Sequence, residues 1–326
     1  MAARLLTRIE QSLGKELPLE SLLDAPTIEQ QARLIRSQNG NGSQPHSIAE
    51  RGATTDVPLF YLGGDPTFQP LSQRLRAAHG FHSLGIQASI VRQLKNPYSL
   101  RCIAEHFVKA IRERRPHGPY MLGGWCAHGV LALETAQQLR EQGQEVALLV
   151  MLESINPQRI RQQARWIRSI AVWQGKMNLL QFEYAYLRSL GKEQARDYIS
   201  GRLARKMSGL HGTLLTAWKK GKNSEIELTR ATPLQVLYAA AANYEPRPYD
   251  SPVLLMRSQE SVFGFEKDEL LGWGDFLGKD VEVCRSVGNH YTMYVEPNVN
   301  ELAQKVSHRL KNAERRWQQT QQRQIA

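Results

Sequence analysis

The sequence predicts an α/β fold in which helices cover both faces of a mostly parallel central sheet. Fully apolar runs of strand length alternate along the chain with segments whose apolar residues recur at helical spacing. Strands that are apolar at every position are typical of parallel sheets, because both of their faces are buried. A length of 326 residues is enough for one large domain with smaller appendages.

The first half of the predicted domain alternates regularly between strands and helices. Strands are predicted at Val57–Leu62, Phe81–Ile86, Tyr120–Gly123 and Val146–Leu152. Helices are predicted at Phe68–His79, Ser99–Arg115 and Val130–Glu141, with Gly143 ending the last of them. This order favours crossover helices that connect parallel strands.

The alternation stops between about residues 157 and 233. Amphipathic helices are predicted there at Arg161–Trp173, Asn178–Gly191 and Gln194–Met207, with no strand between them. An all-helical insertion in an α/β chain is typical of a lid over an active site. Its aromatic residues are expected to form the core of the lid, with a substrate pocket as the alternative: Trp166, Trp173, Phe182, Tyr184 and Tyr186.

The alternation then resumes and continues almost to the end of the chain. A helix is predicted at Leu234–Tyr244, strands at Val253–Arg257 and Val281–Val287, and a last helix at Val299–Lys311. Residues 312–326 are predicted to be a basic, frayed tail. At the other end, residues 1–37 have the pattern of short helices, and the residues from 38 to 56 are a flexible linker rich in Asn, Gly, Ser and Gln.

The composition excludes several classes of protein. Hydrophobic residues make up 41% and charged residues 22%, no apolar run approaches the roughly 20 residues of a membrane span, and no signal peptide is recognisable. We therefore predict a cytoplasmic protein without membrane contact. The three cysteines have no paired spacing and no nearby His/Cys cluster, which argues against disulfides and against a metal site.

The net charge of +11 raises the question of whether the chain binds nucleic acid. The basic residues concentrate in Arg159–Arg205 and Lys311–Arg323 at helical spacing, and no nucleic-acid motif is recognisable. We interpret them as solvated helical faces and predict no nucleic-acid partner. The alternative is a docking surface for an acidic protein or a phosphate-bearing carrier arm.

The segment Gly-Gly-Trp-Cys-Ala-His-Gly at 123–129 has the pattern of a nucleophile elbow with cysteine at its tip. Gly124 and Cys126 keep the spacing of the G-x-S-x-G motif. His128 occupies the second position at which a small residue is expected, and Gly129 comes one residue late. Cys126 is the candidate nucleophile, and the alternative is a small buried residue. His128 is either an accommodated structural residue or a second imidazole that modulates the thiol.

A cysteine nucleophile needs a base, and the base needs an orienting carboxylate. Glu153 ends the first strand after the elbow helix, and His290 follows the last strand. Both fall where the order nucleophile, acid, histidine requires. Asp65 and Asp250 are alternative acids, and an ordinary turn histidine is the alternative interpretation of His290.

Three motifs resemble the type I thioesterase domains of nonribosomal peptide and polyketide synthetases. The first segment, LGGWCAHG with LALETAQQL, is similar to the family's GGWSxGG motif. The second, LLVMLESINP, is similar to LxLLDxxxP, and the third, GNHYTMYVEPNV, is similar to GDHFTMLxEPxV. The resemblance spans residues 57–311 and implies an α/β-hydrolase fold with a lid at about 157–233. It implies that Cys126 is the nucleophile, His290 the general base, and Glu153 the acid where the family usually has aspartate.

The resemblance also implies an oxyanion hole and a partner. The backbone amides would come from Ala127 and from Gly64 or Asp65, although the usual His-Pro or His-Gly pair is Gly63-Gly64 here. Residues 1–37 resemble the end of a carrier domain with an APTIEQ element, but the phosphopantetheine serine is absent. The substrate would be an acyl or peptidyl chain on the 4'-phosphopantetheine of a carrier domain, with no cofactor bound by this chain.

The implied function is a thioesterase with a Cys-His-Glu triad that accepts the chain onto Cys126. The acyl or peptidyl chain would then be released by hydrolysis, aminolysis or cyclisation. A thioester on cysteine favours aminolysis and cyclisation over hydrolysis. The alternatives are a hydrolytic proofreading thioesterase, a non-catalytic carrier-docking module, and a lipase-like esterase, against which the carrier-like segment argues.

Overall fold

The computed structural model describes residues 9, 12–13, 28–29, 32, 35, 56–63, 68–86, 98–189, 232–260 and 264–325. Nearly all of the predicted carrier remnant and linker lies outside these residues. So does the predicted helix Gln194–Met207, together with the rest of the insertion from residue 190 to residue 231.

The described residues form a six-stranded sheet in which every neighbouring pair is parallel. The strands are β1 (Leu59–Leu62), β2 (Phe81–Leu84), β3 (Tyr120–Trp125), β4 (Val146–Leu152), β5 (Val253–Ser258) and β6 (Val281–Ser286). Their order in the sheet is β2-β1-β3-β4-β5-β6. The direction of the crossovers reverses between β1 and β3, and ligands of open α/β sheets bind at the carboxyl ends of the strands beside such a reversal.

Helices cover both faces of this sheet. They are α1 (Gln69–Ala78), α2 (Leu100–Arg114), α3 (Ala127–Glu141), α4 (Pro157–Gln162), α5 (Arg165–Ser189), α6 (Pro233–Ala242) and α7 (Asn298–Ile325). The apolar sides of α2, α3 and α6 pack in one buried cluster, and those of α1 and α7 pack in a second cluster on the opposite face. The predicted α/β-hydrolase class of fold is therefore confirmed.

The described part of the insertion differs from its predicted helices. Helix α5 runs without a break through Gly175, where two helices were expected. A glycine inside a helix costs only about 1 kcal/mol relative to alanine, so it does not have to end the helix. The expected lid core is wrong for three residues, because Trp166, Trp173 and Tyr184 are more than 60% exposed, whereas Phe182 is buried.

The last helix also differs from its predicted end at Lys311. Helix α7 continues to Ile325, and several residues of this extension contact the domain. Trp317 donates a hydrogen bond from Nε1 to Glu145 over 3.1 Å, and Gln318 donates one to Asp56 over 2.8 Å. Leu310 and Ala313 continue the buried stripe. Within the described part of the chain, no helix has the length and apolar character needed to cross a bilayer.

Candidate active site

Cys126 lies at a strained turn between β3 and α3. Its backbone has φ +52° and ψ −121°, a conformation that costs a residue other than glycine about 1–3 kcal/mol. The Cys126 N–H still bonds to the Leu152 carbonyl of β4 over 2.9 Å, and its carbonyl accepts the Gly129 N–H over 3.1 Å. The turn therefore ends the strand and starts the helix at one residue, as a nucleophile elbow requires.

Two glycines allow the close passage of strand and helix at this turn. A Cβ on Gly124 would overlap the carbonyl of His128, and a Cβ on Gly129 would collide with Ser154 Oγ and lie 2.8 Å from Ser154 Cβ. The tight contact of α3 with the end of β4 thus falls at Gly129. Gly129, which comes one residue late relative to the motif, is therefore the glycine that the packing requires.

His128 occupies the remaining irregular position of the motif. Its ring is 8% exposed and lies against Gly63 at the end of β1, where a Cβ would be 3.5 Å from His128 Cγ. The packing supports the structural interpretation of His128.

His290 and Glu153 meet at the carboxyl ends of the strands. His290 Nδ1 lies 3.3 Å from Glu153 Oε2, and the other oxygen of Glu153 accepts the backbone N–H of Ser258. The side chain of Glu153 is 2% exposed and that of His290 is 14% exposed. Glu153 has φ +47°, and its N–H bonds to the Met256 carbonyl over 2.7 Å.

Neither alternative acid, Asp65 or Asp250, is found beside His290 in the described residues. Asp250 precedes β5 and therefore lies at the amino edge of the parallel sheet, where its side chain faces Gly278. Asp65 lies outside the described residues. The structure thus brings together Cys126, His290 and Glu153 and leaves Asp250 at the far edge.

The loop of His290 is held by an aromatic contact and a tight turn. The His290 ring lies 4.6 Å from the Trp125 ring, centroid to centroid, with 33° between their planes. The buried Asn289 accepts the N–H groups of Tyr291 and Thr292 on Oδ1 over 3.1 and 3.0 Å. Its own N–H donates to Thr292 Oγ1 over 2.8 Å. These bonds fix the loop immediately beside His290.

The sulfur and the imidazole shift each other's titration. Burial raises the pKa of Cys126, but the hydrogen bond and charge of His290, with hydrogen bonds from Tyr238 and the Ala127 N–H, outweigh it and lower that pKa. Burial lowers the pKa of His290, whereas Cys126 and Glu153 together raise it to about 9. These shifts favour the thiolate and imidazolium form of the pair, which is the reactive form of a cysteine nucleophile.

The predicted oxyanion hole falls only partly on described residues. Ala127 is the first residue of α3, and its N–H helps to lower the pKa of the Cys126 thiol. Gly64 and Asp65 lie outside the described residues. The last described residue before them, Gly63, follows β1 directly and is tied to β2 by its carbonyl, which accepts Ser83 Oγ over 2.8 Å.

Three contacts of the site had no signal in the sequence. Tyr238 Oη donates to Cys126 Sγ over 3.8 Å. The Ser258 N–H holds Glu153. From the lid helix α5, Gln181 Oε1 accepts Asn289 Nδ2 over 2.8 Å. Each contact depends on how distant elements pack, and a tyrosine in a helix or a glutamine in a lid has no motif to mark it.

The part of the chain that contains the elbow and its helix is similar to a known family. Residues 60–171 match the family model described as thioesterase domain. The match agrees with the resemblance to thioesterase domains over this segment, which contains Cys126, Ala127, His128 and Glu153.

Three relatives belong to much larger proteins. The dimodular nonribosomal peptide synthase of Bacillus subtilis is 31% identical over 157 residues, which are 47% of this chain and 7% of that protein. The non-reducing polyketide synthase ntnG of Nectria sp is 28% identical over 179 residues, 48% of this chain and 9% of that protein. Indigoidine synthase of Dickeya dadantii is 25% identical over 307 residues, 93% of this chain and 20% of that protein. The chain thus spans a fifth or less of the length of these relatives.

One solved structure has a similar fold over most of the chain. It is a four-domain nonribosomal peptide synthetase bound to AMP and glycine, with a TM-score of 0.52 and 21% sequence identity. The similarity covers 94% of this chain and 23% of that one.

Proposed function

We propose that this chain is a thioesterase that accepts an acyl or peptidyl chain onto Cys126 and releases it. The observation that carries the proposal is the linkage of Cys126, His290 and Glu153 at the carboxyl edge of the sheet, with a buried carboxylate 3.3 Å from the imidazole. The match of residues 60–171 to the thioesterase family supports thioesters as the substrate class.

The substrate is a thioester on the 4'-phosphopantetheine arm of a carrier domain. This assignment is supported by the relatives, which include nonribosomal peptide and polyketide synthases. We also infer that residues 1–37 derive from the end of such a carrier domain. A carrier domain of a synthetase is therefore the proposed partner.

In the first step the Cys126 thiolate attacks the carbonyl carbon of the incoming thioester. The Ala127 N–H stabilises the charge that develops on the carbonyl oxygen, together with an amide of the Gly64–Asp65 turn. The bond from the carbonyl carbon to the pantetheine sulfur then breaks, and the departing sulfur takes the proton of His290. The acyl chain is now a thioester of Cys126, and His290 is neutral.

In the second step a nucleophile attacks this thioester and gives its proton to His290. The bond from the carbonyl carbon to Cys126 Sγ breaks, and its electron pair returns to the sulfur, which regenerates the thiolate and imidazolium. A serine would hold the chain as an oxoester, which is a weaker acyl donor to amines than a thioester is. The cysteine therefore favours aminolysis or ring closure over hydrolysis.

Incubation of the protein with acyl-pantetheine thioesters tests this proposal. Intact-mass spectrometry should show one acyl adduct, which Cys126→Ala abolishes and Cys102→Ala, at an exposed cysteine, leaves unchanged. With an amine present, amide should form at the expense of free acid.

Two results would contradict parts of the proposal. Free acid alone, in the presence of both the natural substrate and the amine, would identify a hydrolytic proofreading enzyme. Absence of any adduct, with Cys126 alkylated no faster than Cys102 or Cys284, would identify a non-catalytic docking module.

A further inference from the structure

A tyrosine from the helix after the lid touches the sulfur of Cys126. Tyr238 Oη donates to Cys126 Sγ over 3.8 Å, and the tyrosine is half-buried. This contact joins two elements that are 112 residues apart in the chain. It leaves the sulfur with a hydroxyl donor in addition to His290 and the Ala127 N–H.

The helix that presents Tyr238 is firmly held. Helix α6 begins with a capping box in which Thr232 and Gln235 bond each other's backbone N–H groups, and Pro233 occupies its first turn. The helix is anchored in the core beside α3 by four residues that are 4% exposed or less: Val236, Leu237, Ala240 and Ala241. The position of the Tyr238 ring is thus set by buried packing on both sides of the residue.

We propose that the Tyr238 hydroxyl stabilises the Cys126 thiolate and thereby fits this site to a sulfur nucleophile. This inference rests on the proposed function, because it assigns a partner to the nucleophile named there. The hydroxyl contacts the reacting atom directly.

The distance explains why the contact suits sulfur. A hydroxyl bonded to an oxygen acceptor prefers a separation of about 2.5–3.0 Å, whereas the larger and more polarisable thiolate accepts from further away. Since a C–O bond is shorter than a C–S bond, a serine oxygen would lie on the Cβ side of the present sulfur position. At 3.8 Å from the present sulfur position, the Tyr238 hydroxyl lies beyond the range that an oxygen acceptor prefers.

The same hydroxyl acts in both chemical steps. Before attack it lowers the free energy of the thiolate, so more of the enzyme carries the nucleophile at neutral pH. In the release step the incoming nucleophile gives its proton to His290, and Cys126 Sγ departs with the electron pair of the broken bond. A thiolate with a lower pKa departs faster, and the Tyr238 O–H donates to the charge as it forms.

The test combines Tyr238→Phe with Cys126→Ser in a double-mutant cycle. Rates of alkylation by iodoacetamide give the midpoint of Cys126 titration, and turnover of an acyl-pantetheine thioester gives activity. With Cys126 present, loss of the hydroxyl should raise the midpoint by about one pH unit and lower turnover at neutral pH about tenfold. In the Cys126→Ser background, Tyr238→Phe should change the remaining turnover less than twofold.

The matched control is Tyr249→Phe. It removes a buried hydroxyl that lies before β5, at the opposite edge of the sheet, and should leave the midpoint unchanged. If Tyr238→Phe does not fold, 3-fluorotyrosine at position 238 keeps the ring, stays protonated at neutral pH and makes the hydroxyl a stronger donor. That variant should lower the midpoint.

The outcomes separate this inference from the proposed function. A wild-type protein that forms no adduct on Cys126 would overturn the proposed function. If the wild type is active but the midpoint of Cys126 titration moves neither with Tyr238→Phe nor with fluorotyrosine, only the role of Tyr238 is overturned. The same holds if Tyr238→Phe lowers turnover equally in the wild-type and the Cys126→Ser backgrounds.

Discussion

Glu153 follows β4 and His290 follows β6, and β5 lies between these two strands in the sheet. The Glu153 carboxylate therefore reaches across the end of β5 to His290. Oxygen Oε2 lies 3.3 Å from His290 Nδ1, while the backbone N–H of Ser258, the last residue of β5, holds the other oxygen. The strand between them thus orients the carboxylate.

Replacement of Glu153 by glutamine should remove the negative charge and keep the shape. We expect kcat for thioester turnover to fall by about 10²–10⁴ with KM little changed, because the imidazolium loses its stabilising partner. The pKa of His290 should drop below its present value of about 9. A pH series of thioester turnover measures both effects.

Glu282→Gln is the control for this change. Glu282 lies exposed on β6, paired with Arg309 over 2.7 Å, and its loss should alter turnover less than twofold. A Glu153→Gln enzyme with wild-type kcat would eliminate Glu153 as the acid.

The motif residues were predictable from the sequence because their chemistry constrains both residue type and spacing. Cys126 must follow a strand and begin a helix, and His290 must follow the last strand. Glu153 was predictable from the same order of motifs, but the contacts of the site with residues outside the motifs were not. Gly129 is required because Ser154 of a different segment lies against it, and Tyr238 is important only because α6 packs beside the elbow. Such contacts leave no local pattern in the chain.

The paired titration of Cys126 and His290 predicts a specific pH dependence. The pKa of Cys126 lies below its usual value, so alkylation should persist below the pH range at which free thiols react. The rate should fall with decreasing pH as the thiolate takes up a proton. Iodoacetamide labelling of Cys126 and the exposed Cys102 in the same sample compares the two directly, and equal pH profiles would contradict the ion pair.

Acylation should decline at high pH for a different reason. The leaving pantetheine sulfur needs the proton of His290, whose pKa is raised to about 9. Below that pH the imidazolium is present, and above it the proton is lost. Single-turnover acylation should therefore fall above about pH 9, while alkylation, which needs no leaving-group proton, should not.

Substitution of Gly129 by alanine should destabilise the domain severely. The new methyl group would collide with Ser154 Oγ and lie 2.9 Å from the Gly124 carbonyl oxygen. We expect a loss of about 3 kcal/mol or more in the free energy of unfolding, measured by urea denaturation. Ser154→Gly in the same chain should recover part of it by removing the side-chain collision.

Gly175→Ala is the matched control for this steric argument. Among the described residues, no atom outside the backbone of its own helix lies within 4 Å of the position that its methyl group would take, and Gly175 is inside α5. Alanine there should raise stability by up to about 1 kcal/mol, since it is the better helix former. An equal loss from both substitutions would mean that the collision at Ser154 is not the cause.

Replacement of His128 by alanine separates its two proposed roles. The buried ring packs against Gly63, so its removal should lower the free energy of unfolding by about 1–3 kcal/mol. The pH midpoint of Cys126 alkylation should stay within about 0.3 pH unit of the wild-type midpoint. A shift of a full unit would correspond to about 1.36 kcal/mol of interaction with the thiolate. A shift of a unit or more would instead identify His128 as a modulator of the thiol.

The lid helix α5 contacts the loop of His290 directly, which predicts that lid substitutions affect large substrates more than small reagents. Phe182 is 7% exposed and lies 6.2 Å from the Tyr291 ring, centroid to centroid, beside the hydrogen bond of Gln181 with Asn289. In Phe182→Ala, α5 loses its apolar contact with this loop. Turnover of a long acyl-pantetheine should fall about tenfold or more, because a long acyl chain needs α5 in place beside the site to be positioned for attack.

Alkylation of Cys126 by iodoacetamide should change less than threefold in the same variant, since a small reagent does not need a positioned lid. Tyr184→Ala is the control, because Tyr184 lies on the same helix but is 65% exposed, and it should leave turnover within twofold. If Phe182→Ala and Tyr184→Ala lose turnover equally, the loss comes from a change in α5 as a whole and not from the contact of Phe182 with Tyr291. An equal loss of turnover and alkylation in Phe182→Ala would instead show that Phe182 supports the fold of the active site, and the lid would then have no separate effect on large substrates.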